Sequence, residues 1–90
     1  MSVLVQMSVS VPDVERFIAT AKRFEPQMQE MGARNQGVFV DENDPSRVTT
    51  MSEWESHDEM HAASEKYGDQ FNSEAGTEGL QWETRIWHQR

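Results

Sequence analysis

VLVQMSVSVPDVERFIATAKRF, residues 3–24, decides the fold. Its first half repeats every two residues: Val3, Val5, Met7, Val9 and Val11 alternate with Leu4, Gln6, Ser8 and Ser10. That is the pattern of a half-buried strand. Pro12-Asp13 stops the strand and opens a helix, with Asp13 and Glu15 suited to a helix N-terminus. The second half changes period. Val14, Phe17, Ala21, Phe24, Met28 and Met31 fall on one helical stripe, with Ile18 at its edge. Pro26 lies inside this stripe and predicts a kink or a break, because it lacks an N–H and clashes with the carbonyl of Lys22. Gly32 is placed to follow the helix end.

The rest of the chain repeats the alternation of periods. Ala33 to Val40 reads as a second strand, interrupted by Gly37. Asn43, Asp44 and Pro45 supply turn chemistry. Arg47 to Trp54, rich in Val and Thr, closes a hairpin as the third strand. Ser56-His57-Asp58-Glu59 is a capping box and starts a second helix. Met60, Ala63, Ser64, Tyr67 and Phe71 share one face of it, and Gly68 weakens it enough to end it early. After a polar loop over residues 72–79, Leu80 to His88 is the last strand. The order β-α-β-β-α-β predicts an α+β, ferredoxin-like domain: a four-stranded antiparallel sheet with two helices on one face. One domain accounts for residues 1–90.

Two helices cover one face only. Val3, Val5, Met7, Val9, Phe39, Val48, Trp54, Trp82 and Ile86 form the more apolar set and should face the helices. Leu4, Gln6, Ser8, Val38, Val40, Met51, Arg85 and Trp87 fall on the other side. That set is too apolar for an ordinary wet surface and predicts a homodimer through the sheet face. The alternative is a monomer with this face solvated. Arg85 is expected to form an ion pair there, with Glu53.

Composition excludes several classes. The chain has 90 residues, 36% of them hydrophobic, and no cysteine. Disulfides, thiolate metal sites and cysteine nucleophiles are excluded. The net charge is −8, with residues 41–90 carrying twelve acids against four bases. That leaves no basic footprint for nucleic acid or an anionic membrane surface. No apolar run is long enough to span a membrane, and residues 1–11 lack the basic start of a signal peptide. The sequence reads as a soluble cytoplasmic protein.

The element order and the strand-end motif Trp54-Glu55-Ser56-His57-Asp58-Glu59 resemble the dimeric α+β barrel superfamily, and within it the antibiotic biosynthesis monooxygenase-like domains. The resemblance spans almost the whole chain as a pattern; Trp-Glu-Ser is its specific part. It implies a dimer with a pocket between helices and sheet in each protomer. Its functions include cofactor-free oxygenation of aromatic polyketides, and it implies no cofactor here. A haem-degrading branch is also similar at Trp54. That branch uses an Asn on the first strand, where Gln6 is the nearest substitute, and places its haem-ligating His near Ser64, one turn beyond His61.

The candidate site follows from these placements. Trp54, Tyr67, Phe71 and Trp82 would hold a planar aromatic ligand, with Asn35 and His57 at its margin. Trp54 reads equally as a core aromatic, Tyr67 as core packing and Asn35 as a turn-adjacent surface residue. His61 is the candidate catalytic base, since imidazole titrates in the range that suits proton transfer from a phenolic substrate. His57 and His61 lie four apart, but the motif of zinc proteases needs Glu directly after the first His, where this chain has Asp58. No metal site is expected. The two functional readings are a small oxygenase and a binding or accessory protein that uses the same pocket without turnover.

Overall fold

A computed structural model describes residues 2–90. Strand β1 (Val3–Ser10) leads to helix α1 (Val14–Glu30), then the hairpin of β2 (Arg34–Val40) and β3 (Arg47–Trp54), helix α2 (His57–Ala75) and β4 (Glu83–His88). The strands lie in the order β2-β3-β1-β4, and every neighbouring pair is antiparallel. This is the expected ferredoxin-like α+β arrangement. Among the described residues no helix is long and apolar enough to cross a membrane.

Local chemistry sets the helix ends. The Asp13 carboxylate accepts from the Arg16 N–H at 3.1 Å and caps α1. The Ser56 hydroxyl accepts from the Glu59 N–H at 3.2 Å and caps α2. Two expectations are corrected here. The chain does not break at Pro26, and α1 runs through it to Glu30. Lys22 and Pro26 are both exposed, so water can take the carbonyl that the missing N–H leaves open. Nor does Gly68 end α2, which continues to Ala75. The roughly 1 kcal/mol cost of a mid-helix glycine is offset by burying Ala75 and packing Phe71 beyond it. Gly76 then ends the helix at φ +74°, donating its N–H to the Asn72 carbonyl. No basic residue stands in the last turn of α2, but Arg16 of α1 donates to the Ser73 and Glu74 carbonyls at 3.0 and 2.7 Å.

The register fixes which residues face the helices. Val3, Val5, Met7 and Val9 pair with Trp54, Ser52, Thr50 and Val48, and these residues form the covered face. On β2 the expected sidedness is reversed. Val38 pairs with Thr50 and packs into the core, while Phe39 pairs with Thr49 on the outer face and is 53% exposed. Val40 pairs with Val48, on the covered side by register, yet the edge position leaves it 43% exposed. The cause is an irregularity between Arg34 and Gly37, where Asn35 takes φ +51° and shifts the alternation. The ring of Phe39 lies across Gly37: a Cβ there would come within 2.8 Å of it. A side chain there would have to push the exposed Phe39 ring aside.

The core divides in two. One cluster centres on Val3, Val5, Ala33, Trp54 and Ala63. The other centres on Val9, Val11, Phe17, Val48 and Ala75.

Candidate functional site

A cavity of about 320 Å³ lies where the two clusters fail to meet. Met7, Met28 and Met60 line it from the first cluster; Ala21, Val38, Phe71 and Trp82 line it from the second. Its walls are therefore the sheet below, α1 and α2 above.

Aromatic rings run along it in edge-to-face contact. Tyr67 meets Phe24 at 6.2 Å between centroids, Phe24 meets Phe71 at 5.4 Å and Phe71 meets Phe17 at 5.7 Å, all close to perpendicular. Trp82 leans on Phe17 at 6.0 Å. Such contacts fix the rings and leave π-faces for a guest. Trp54 is buried, and its indole N–H donates to the Ser52 hydroxyl at 2.9 Å. A polar rim complements the apolar wall. Gln36 donates from its side chain to the Glu25 carbonyl at 2.9 Å and ties β2 to α1. Asn72 accepts the Thr77 hydroxyl at 2.7 Å on its side-chain oxygen. Glu25, Gln36 and Asn72 all lie on the lining.

Trp54, Tyr67, Phe71 and Trp82 are brought together on this lining. Asn35, His57 and His61 are not. Asn35 lies in an adjoining surface groove and donates to the Glu53 carboxylate at 3.2 Å. Glu53 is thereby engaged with Asn35, and Arg85, expected as its partner, stands exposed two strands away. The rings of His57 and His61 stack at 6.3 Å on the outside of α2. The His61 side chain is 63% exposed, and its Nε2 sits 3.0 Å from the Glu65 carboxylate. Among the described residues no group of three His, Asp or Glu side chains is placed to hold a metal ion.

The sequence does not mark Phe24, Gln36 and Asn72 as site residues. Phe24 lies on the core stripe, which signals burial but not a cavity. Gln36 stands in an irregular strand whose sidedness the sequence hides. Asn72 falls in the polar segment after Gly68, where the pattern predicts a loop and the structure has helix. Glu25 carried no signal beyond its place beside the stripe.

No family model matches the sequence, and no curated protein matches it significantly. Solved structures do match. A proposed antibiotic biosynthesis monooxygenase of Bordetella bronchiseptica superposes with a TM-score of 0.83 at 16% identity, over 99% of this chain and 97% of that one. SnoaB, a cofactor-independent oxygenase of Streptomyces nogalater, gives 0.76 at 14% identity, over 99% and 92%. A conserved protein of Methanosarcina mazei Go1 gives 0.81 at 18% identity, over 100% and 94%. The chain thus has the fold of antibiotic biosynthesis monooxygenase-like proteins.

Proposed function

We propose that the chain is a small, cofactor-independent monooxygenase acting on an aromatic or polyketide-type molecule held between helices and sheet. The carrying observation is the cavity, with Trp54, Tyr67, Phe71 and Trp82 together on its lining. A ligand with fused rings would stack on these residues and displace water. The reaction that suits such a site starts at an acidic CH₂ between aromatic rings. Loss of a proton leaves a carbanion; its electron pair reduces O₂, a hydroperoxide forms at that carbon, and loss of water leaves a carbonyl. Two ionisable groups stand on the lining, Glu25 and Tyr67. The acid–base part of the reaction falls to them, since His61 stands exposed on the outside of α2.

A second reading is a binding or accessory protein without turnover. It is favoured by the mostly apolar lining, where no acid and base are in hydrogen-bond contact. Haem degradation fits less well, because among the described residues no histidine lies on the lining to ligate iron.

The proposed molecule is a homodimer joined through the outer sheet face. Phe39 and Trp87 are each about half exposed there, at 53% and 51%. Leu4 and Met51 lie between them by register.

The test is O₂ uptake with anthrone, a three-ring compound with one acidic CH₂. The reading expects uptake matched by quinone formation, and its loss in Ala21→Phe, which fills the cavity. Binding of anthrone without uptake would favour the non-catalytic reading. Absence of both would overturn the assignment of a ring-binding site.

A further inference from the structure

The cavity lining is uneven in charge. Among the described residues of its lining there is no Lys, Arg or His, and Glu25 is the one formally charged side chain. Glu25 is half-buried, and its carboxylate has no ion pair or hydrogen bond among the described residues. Only its backbone carbonyl is engaged, by Gln36. Glu25 and Gln36 also line the neighbouring surface groove, so they stand where cavity and groove meet. The cation in that groove, Arg34, is committed elsewhere: its guanidinium lies 3.7 Å from Glu55 and donates to Ser2.

These facts are unfavourable to an anion. A carboxylate or phosphate entering the cavity would shed its water and find no positive partner. The positive ends of the two helices are already answered by acids, Asp13 and Glu15 on α1, Asp58 and Glu59 on α2. The chain's net charge of −8 adds to the barrier. A cation gains on each count. It could meet the unpaired Glu25 carboxylate at the rim while the π-faces of the lining stabilise positive charge.

We infer that the site selects a neutral or, better, a positively charged flat molecule, an amine-bearing aromatic, with Glu25 at the cavity rim as its counter-ion. This rests on the reading of the cavity as a ligand site and names the chemical class of that ligand.

Three probes share one ring system: 2-naphthylmethylammonium, 2-naphthylmethanol and 2-naphthoate. Their binding can be followed by quenching of tryptophan fluorescence. The ammonium should bind about tenfold or more tightly than the naphthoate, with the alcohol between. In Glu25→Gln the ammonium should fall to the level of the alcohol. Glu42→Gln, which removes an equal charge from the exposed β2–β3 turn, should keep the preference. In about 1 M salt, where screening reaches about 3 Å, a preference set by Glu25 at close range persists and one set by the overall charge disappears. The salt comparison holds even if Glu25→Gln fails to fold. Naphthoate binding as tightly as the ammonium would overturn the charge preference. An ammonium preference that survives Glu25→Gln, or vanishes in salt, would overturn the role of Glu25. Should none of the three probes bind, the cavity would be no ligand site at all, and the proposed function fails with it.

Discussion

Trp54 turns its indole N–H to the Ser52 hydroxyl and presents its ring to the cavity. The hydrogen bond holds the ring in one orientation, which a stacking wall requires. Replacing it by Phe keeps an aromatic wall but leaves Ser52 without its donor. Trp54→Phe should cost about 1 kcal/mol in urea unfolding; an unchanged midpoint would mean that the bond positions nothing. His61 illustrates a different relation between residue and site. Its place on the outer side of α2 leaves it exposed, where it meets Glu65 at i, i+4. His61→Ala should change the affinity for 2-naphthylmethanol by less than about 0.5 kcal/mol. A larger loss, seen in the same fluorescence titration, would place His61 at the ligand after all.

At the scale of elements, α1 and α2 are joined by two arginines, Arg16 and Arg23. Arg16 supplies the positive charge that the last turn of α2 lacks, and its guanidinium lies within 3.0 Å of where a Cβ on Gly76 would sit. Arg16→Ala should lower stability by about 1–2 kcal/mol, read as a lower melting temperature. An unchanged melting temperature would show that the last carbonyls of α2 are satisfied by water alone. Beside it, Arg23 holds the Glu74 carboxyl below its ordinary range, helped by Gln70. A carboxyl depressed in the folded state gives stability above its unfolded pKa and loses it as pH falls through the folded value. Urea midpoints should therefore decline at acid pH, less steeply in Glu74→Gln; parallel declines would remove Glu74 from the account.

The same elements show what could be read in advance. The strands β1 and β3 and the cap of α2 announce themselves, because alternation and a capping box are local signals. The sidedness of β2 does not. It depends on one positive φ at Asn35, a conformation that asparagine tolerates but does not dictate. The aromatic half of the site followed from helix and strand faces. The cavity's polar rim did not, since Gln36 reaches Glu25 across a contact between β2 and α1 that no spacing encodes.

For the molecule as a whole, one sheet face is covered by its own helices and the other carries Phe39 and Trp87 half exposed. The dimer reading predicts a sedimenting species of twice the 10.4 kDa chain, dissociated by the pair Phe39→Glu and Trp87→Glu. A wild-type monomer at working concentration would contradict it. Beneath that question lies the central claim, that the space between the two core clusters receives a small flat molecule. Methionine methyl NMR addresses it directly, because Met7, Met28, Met51 and Met60 touch the cavity while Met31 packs outside it. Titration with 2-naphthylmethanol should move signals of the lining methionines saturably and leave that of Met31 in place. Lining signals that do not move, or that move no more than that of Met31, would contradict the account.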